Sequence, residues 1–90
     1  MEDINTKRKR LIFRSWHRGT REMDLILGSF ADRNVPEFDE AALALYEGVL
    51  GCTDPDLYNW YTGQEQVPAN ILTPVFELFL NHQVHQGHQD

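Results

Sequence analysis

The stretch "TREMDLILGSFADRN", residues 20–34, settles the fold class. Met23, Ile26, Leu27 and Phe30 stand at i, i+3, i+4 and i+7, so one stripe of a helix carries four apolar side chains. A strand would need alternation, and no sustained alternation occurs along the ninety residues. Gly28 inside the stripe costs about 1 kcal/mol relative to Ala, which marks a place of close helix packing. Pro36 stops the helix from continuing.

Outward from this segment the same period recurs. A first helix is predicted from about Asn5 to Arg18, with Ile12 and Trp16 on one face, Leu11 and Phe13 beside it, and Lys/Arg on the rest. Gly19 ends it by taking a positive φ, so the first two helices form an αα-hairpin turning at Gly19. Asp39 reads as the N-cap of a third helix, Glu40 to Leu50, with Ala42, Leu43, Tyr46, Val49 and Leu50 inward and Gly51 at its end. In "TDPDLYNWYTG", residues 53–63, Asp54 reads as a cap, Pro55 as the first helical residue and Asp56 as a partner of the dipole's positive end. Leu57, Trp60 and Tyr61 form its apolar face. A fifth helix is predicted over about Asn70 to His82, with Leu72, Val75, Phe76 and Phe79 inward. Its start stays open: Pro74 at the first position behind a Thr73 cap, or Pro74 inside a turn that follows Pro68. The expectation is an all-α, compact bundle of five short helices in one domain, residues 1–84, followed by a flexible tail, residues 85–90.

Composition narrows the class further. Apolar residues make up 41% of the chain, with five Phe, three Tyr and two Trp, which suits a globular core. Cys52 is the lone cysteine, so no internal disulfide forms, as expected in a reducing compartment. No apolar run approaches the roughly 20 residues that span a bilayer, and the N-terminus lacks the apolar core of a secretory signal. A cytoplasmic protein without membrane insertion is expected. The net charge of −6 is unevenly spread. All eight Lys and Arg lie in residues 1–33 against five acids, leaving +3, while residues 34–90 hold nine acids and neither Lys nor Arg. The acidic remainder argues against wrapping a nucleic acid. The Lys7–Arg10 run reads as a solvated helix face; its use by a small regulatory, antitoxin-like nucleic-acid or protein-binding module is the alternative.

Chemistry-bearing residues are few. Ser15, Ser29 and Cys52 have no evident base partner, and no phosphate loop or nucleophile elbow is present, so no enzyme is expected. His82, His85 and His88 are spaced by three, unlike the i, i+4 pairs of helical zinc sites. In "HRGTRE", residues 17–22, two readings stand side by side. Gly19 closes a helix and Glu22 reaches back to a free N–H, as half a capping box; or Arg18, Arg21 and Glu22 form an exposed patch for bidentate recognition. His17 beside it reads as a surface histidine. Tyr58, Trp60 and Tyr61 are too many aromatics for one side of a short helix, so one or more are expected as exposed partner anchors.

"RLIFRSWHRGTREMDLILGSFA", residues 10–31, and "ALYEGVLGCTDPDLYNWYTG", residues 44–63, resemble the succinate dehydrogenase flavinylation (FAD assembly) factors, the SdhE/YgfY family. The Arg-Gly-x-x-Glu hallmark is matched by Arg18, Gly19 and Glu22. The resemblance covers about residues 10 to 80 and implies five helices and a non-enzymatic chaperone. Such a factor binds the flavoprotein subunit of succinate dehydrogenase, and in some bacteria that of fumarate reductase, promoting covalent attachment of FAD to one of its histidines. It implies Arg18, Gly19 and Glu22 as the contact surface, with Arg10, Ser15, His17, Arg21, Asp56, Tyr58 and Trp60 as further partner-binding candidates. It also implies that FAD belongs to the client and that the factor has no dedicated flavin pocket. His17 departs from the family, where many members carry a basic residue.

Overall fold

Each α-helix starts behind a short polar side chain of the same action. Asp3, Thr20, Asp39, Thr53 and Thr73 each accept a hydrogen bond from the backbone N–H three residues on, satisfying one of the donors a helix start leaves unpaired. The computed structural model describes residues 2–84, and the tail expected over 85–90, with His85 and His88, lies outside the described residues. Behind those caps run α1 (Ile4–Trp16), α2 (Arg21–Asn34), α3 (Glu40–Leu50), α4 (Asp54–Tyr61) and α5 (Pro74–Leu80), with a 3-10 turn at Val35–Glu37. The protein is all-α, and the described residues include no strand.

Asp39 caps α3, and Pro74 follows a Thr73 cap, which closes the question left open at α5. Three readings need correction. Thr53, not Asp54, caps α4, which leaves the Asp54 carboxylate free for another partner. Leu72 precedes α5 and is 41% exposed rather than inward. The extended backbone of the Thr73 cap sets it apart from the helical register. α2 does end at Asn34 ahead of Pro36, which sits in the 3-10 turn that follows. On α1 the buried face is Leu11 and Ser15, while Phe13 is 63% exposed. At about 100° per residue, Phe13 lies roughly 200° around the helix from Leu11.

The core is aromatic. Phe30 of α2, fully buried, meets Tyr46 of α3 at 5.5 Å and the edge of Phe79 of α5 at 6.0 Å between ring centroids. Three helices therefore share one ring, and offset and edge-on pairs add to plain area burial. Trp60 of α4 stands edge-on to Phe76 at 5.7 Å, which joins α4 to α5. α1 lies chiefly against α2 and then α3. Its one buried polar side chain, Ser15, bonds the Leu11 carbonyl at 2.7 Å and the Tyr46 hydroxyl at 2.6 Å. Burial pushes the Tyr46 phenol up to about 12. At Gly28 the Trp16 indole lies against the bare backbone, so closely that an added Cβ would overlap its ring. The close packing expected of this glycine is thus a contact between α1 and α2.

Gly28→Val should lower the unfolding free energy by about 1–3 kcal/mol through overpacking against Trp16, read from urea melts followed by circular dichroism. Tyr46 should resist ionisation in the native state. Its folded pKa lies above the unfolded value of about 10, so its contribution is intact below that pH. It is lost as pH rises toward about 12, a loss of roughly 2–3 kcal/mol. Alkaline titration at the phenolate absorbance should show Tyr46 ionising last, together with loss of helix, with Tyr61 also raised by burial.

Candidate functional site at the corner between α1 and α2

The corner is built from Trp16 to Arg21. α1 ends as the His17 N–H turns back to the Arg14 carbonyl at 3.2 Å. Gly19 then takes φ +118°, with nothing within 4 Å of where a Cβ would lie. Its requirement for glycine is therefore conformational and not a matter of space. The Thr20 hydroxyl caps α2 by accepting the Met23 N–H at 3.3 Å. Asp24, one turn into α2, accepts the backbone N–H groups of Arg18 at 2.6 Å and Gly19 at 3.3 Å. The capping role read for Glu22 thus belongs to Thr20 and Asp24. Glu22 is exposed and, among the described residues, makes no hydrogen bond or ion pair.

Arg18 is not part of an exposed patch. Its guanidinium turns inward, with Nε donating to Asp54 Oδ1, Nη1 to the Leu50 carbonyl and Nη2 to the Cys52 carbonyl, each at 2.8 Å. Its side chain is 12% exposed and that of Asp54 21%. The physical cause is the end of α3. Leu50 is the last residue of that helix, where carbonyls lack partners and the dipole is negative, and α3 has no basic residue in its own last turn. A planar fork is the side chain that can meet three such acceptors at once. Arg18 thereby ties the α1–α2 corner to the α3–α4 corner.

The other expected partner residues divide by exposure. Ser15 is fully buried and engaged in the core, so it cannot meet a partner while the chain is folded. Arg10 pairs with Glu2 at 2.8 Å and Glu47 at 3.4 Å, yet stays 41% exposed. Asp56 is exposed beside the Thr53 cap. Trp60 is half-buried on Phe76, away from the corner's hollows. Arg21 is exposed and without a partner among the described residues. Tyr58 is 39% exposed and lines the same surface hollows as Glu22. The two line both a hollow of about 410 Å³, shared with Thr20, Met23, Asp54 and Pro55, and a neighbouring one of about 380 Å³ reaching Leu25 and Tyr61. Glu22 and Tyr58 are thus the sequence candidates that the fold brings together.

On the α1 side of the corner a hollow of about 270 Å³ is lined by Phe13, Arg14, His17 and Arg18. The His17 ring stacks on Phe13 at 4.0 Å with the planes 21° apart. His17 Nδ1 lies 2.7 Å from the Phe13 carbonyl, which can only accept, so Nδ1 carries the proton. Sequence reading missed Asp24 and Asp54, whose partners lie across turns, and it placed Phe13 beside the core. For Phe13 the signal was present, in its angle from Leu11. For Asp54 no local signal existed, because Arg18 lies 36 residues away.

Burial and the nearby Asp56 push the Cys52 thiol above its ordinary range, and its Sγ lies 3.5 Å from the Gly48 carbonyl. This leaves it a poor thiolate nucleophile. Along the Lys7–Arg10 run, Lys7 faces Glu40 and Glu47, Arg8 donates to the Phe38 carbonyl, and Arg10 faces Glu2 and Glu47. Three of the four cations are therefore occupied internally, which disfavours a phosphate-binding face. Among the described residues no helix is long and apolar enough to cross a membrane.

Residues 9–83 match a family described as flavinator of succinate dehydrogenase. The chain is 38% identical over 82 residues to a mitochondrial succinate dehydrogenase assembly factor 2 of Dictyostelium discoideum, covering 91% of this chain and 58% of that protein. Against the mitochondrial succinate dehydrogenase assembly factor 2 of Arabidopsis thaliana it is 43% identical over 68 residues, covering 74% and 36%. The FAD assembly factor SdhE of Acetobacter pasteurianus is 34% identical over 74 residues, covering 82% and 68%. The chain spans about half the length of the first of these relatives and a smaller share of the second.

Arg18→Ala should destabilise the protein by about 2–3 kcal/mol, because two carbonyls and Asp54 lose a common donor. Arg18→Lys should recover only part of that, since an ammonium lacks the planar fork. Urea denaturation of the two variants checks both.

Proposed function

The chain belongs to the family of flavinators of succinate dehydrogenase, and we propose that it is an assembly factor that binds the flavoprotein subunit of that enzyme and promotes covalent attachment of FAD to it. The observation that carries this reading is a family match running unbroken over residues 9–83, which includes the whole corner. The flavoprotein subunit of fumarate reductase is a second client within the same proposal. The lone Cys52, without an internal disulfide partner, supports a cytoplasmic setting.

The physical task is to hold flavin and acceptor histidine in one near-attack geometry on the client. A small rigid protein achieves this by binding the client's productive conformer better than its open one. In this reading Glu22, Tyr58 and Arg21 make the contact, Gly19 keeps the ridge narrow, and Arg18 sets the ridge's position from beneath. The bond-forming chemistry stays with the client and its flavin. FAD is the client's cofactor and is not held tightly by this chain. Glu22, an acid unpaired among the described residues and lining the hollow beside Tyr58, supports this, since it would repel a pyrophosphate.

Cells lacking the protein should yield client subunit without covalent flavin, seen as lost flavin fluorescence on denaturing gels, and wild-type protein should restore it. Undiminished covalent flavin would refute the reading for that client. Glu22→Ala should keep its stability within about 0.5 kcal/mol yet bind the client about five- to thirtyfold more weakly, measured by urea melts and calorimetry.

A further inference from the structure

The two sides of the Gly19 ridge differ in charge. The α2 side carries Glu22 next to Arg21, while on the α1 side Arg14 and His17 line a hollow with Phe13 and with Arg18, whose own charge is paired with Asp54. We infer that the Phe13–Arg14–His17 hollow seats a carboxylate-bearing side chain of the client polypeptide, so that the corner takes an acid on one flank and offers its own acid on the other. This rests on the preceding proposal that a client docks here.

The hollow has the parts for that ligand. Arg14 is exposed and, unlike Arg10 and Arg18, has no ion pair or hydrogen bond to its guanidinium among the described residues. It supplies uncompensated positive charge in a chain of net −6, which elsewhere tends to repel an anion. Phe13 remains 63% exposed, and its stack on His17 holds both rings in place before any partner arrives, which lowers the ordering cost of docking. With the Nδ1 proton used on the Phe13 carbonyl, His17 Nε2 is an acceptor, so the donor that meets a carboxylate in this hollow is Arg14. At about 270 Å³ the hollow falls below the roughly 300–1,000 Å³ of sites that enclose small molecules. A single acidic side chain lying over Phe13 and reaching Arg14 fits it better than a dinucleotide.

The test is calorimetry of the apo flavoprotein subunit against wild type, Arg14→Gln, Arg14→Glu and Phe13→Ala, at two salt concentrations, with urea melts of each. Arg14→Glu should weaken binding by about tenfold or more. Arg14→Gln should weaken it less and flatten the salt dependence, Phe13→Ala should also lose affinity, and all melts should stay near wild type. If Arg14→Glu and Phe13→Ala bind with wild-type affinity and salt dependence while the client is still flavinylated, the carboxylate seat is overturned and the assembly role stands. If wild type does not bind the client at all, both fall. Competition by ADP at the hollow would make it a phosphate site and overturn the inference. So would self-association in sedimentation that Arg14→Glu abolishes with no effect on the client.

Discussion

Three hydrogen bonds from one guanidinium hold the working end of this molecule together. Arg18 reaches from the first corner into the second and satisfies the end of α3 and the start of α4 at once. Neither corner has another cation that does this, and α3 brings none of its own. The hollow lined by Thr20, Glu22, Asp54 and Tyr58 draws its residues from both of the corners that this bond joins.

The residues of the Arg-Gly-x-x-Glu stretch do three unlike jobs. The arginine is a brace facing inward, the glycine is a backbone conformation, and the glutamate is the part left in solvent. The proposed assembly role makes use of such a division. A contact surface that selects one conformer of a partner works only if it is itself held in place, and here the holding is done by side chains turned away from the exposed ridge. Asp24 adds to it by holding two backbone N–H groups of the turn, so the exposed ridge is fastened from both ends.

Most of the architecture was legible because it depends on local rules. The Met23–Ile26–Leu27–Phe30 stripe and the Asp39 cap each follow from spacing within one turn or two, and the structure places them accordingly, while the start at Pro74 stayed open between two readings until the Thr73 cap decided it. The α1 face was misread because Ser15, a polar residue, is buried by a bond to Tyr46, 31 residues on. Apolar pattern alone assigns such a position to solvent and moves Phe13 inward in its place. The site was half legible for the same reason. Glu22 and Tyr58 could be singled out as candidates, but their adjacency and the inward turn of Arg18 depend on contacts between distant segments.

Gly19 allows surface occupancy and backbone shape to be separated. Its φ of +118° is unfavourable for L side chains, although the space around it is open. A residue of inverted chirality has the opposite preference and accepts this angle readily. In a chain of ninety residues, within reach of chemical ligation, a D-alanine there would put a methyl group on the ridge while keeping its path. Any change in client behaviour would then belong to the methyl, and not to a bent corner.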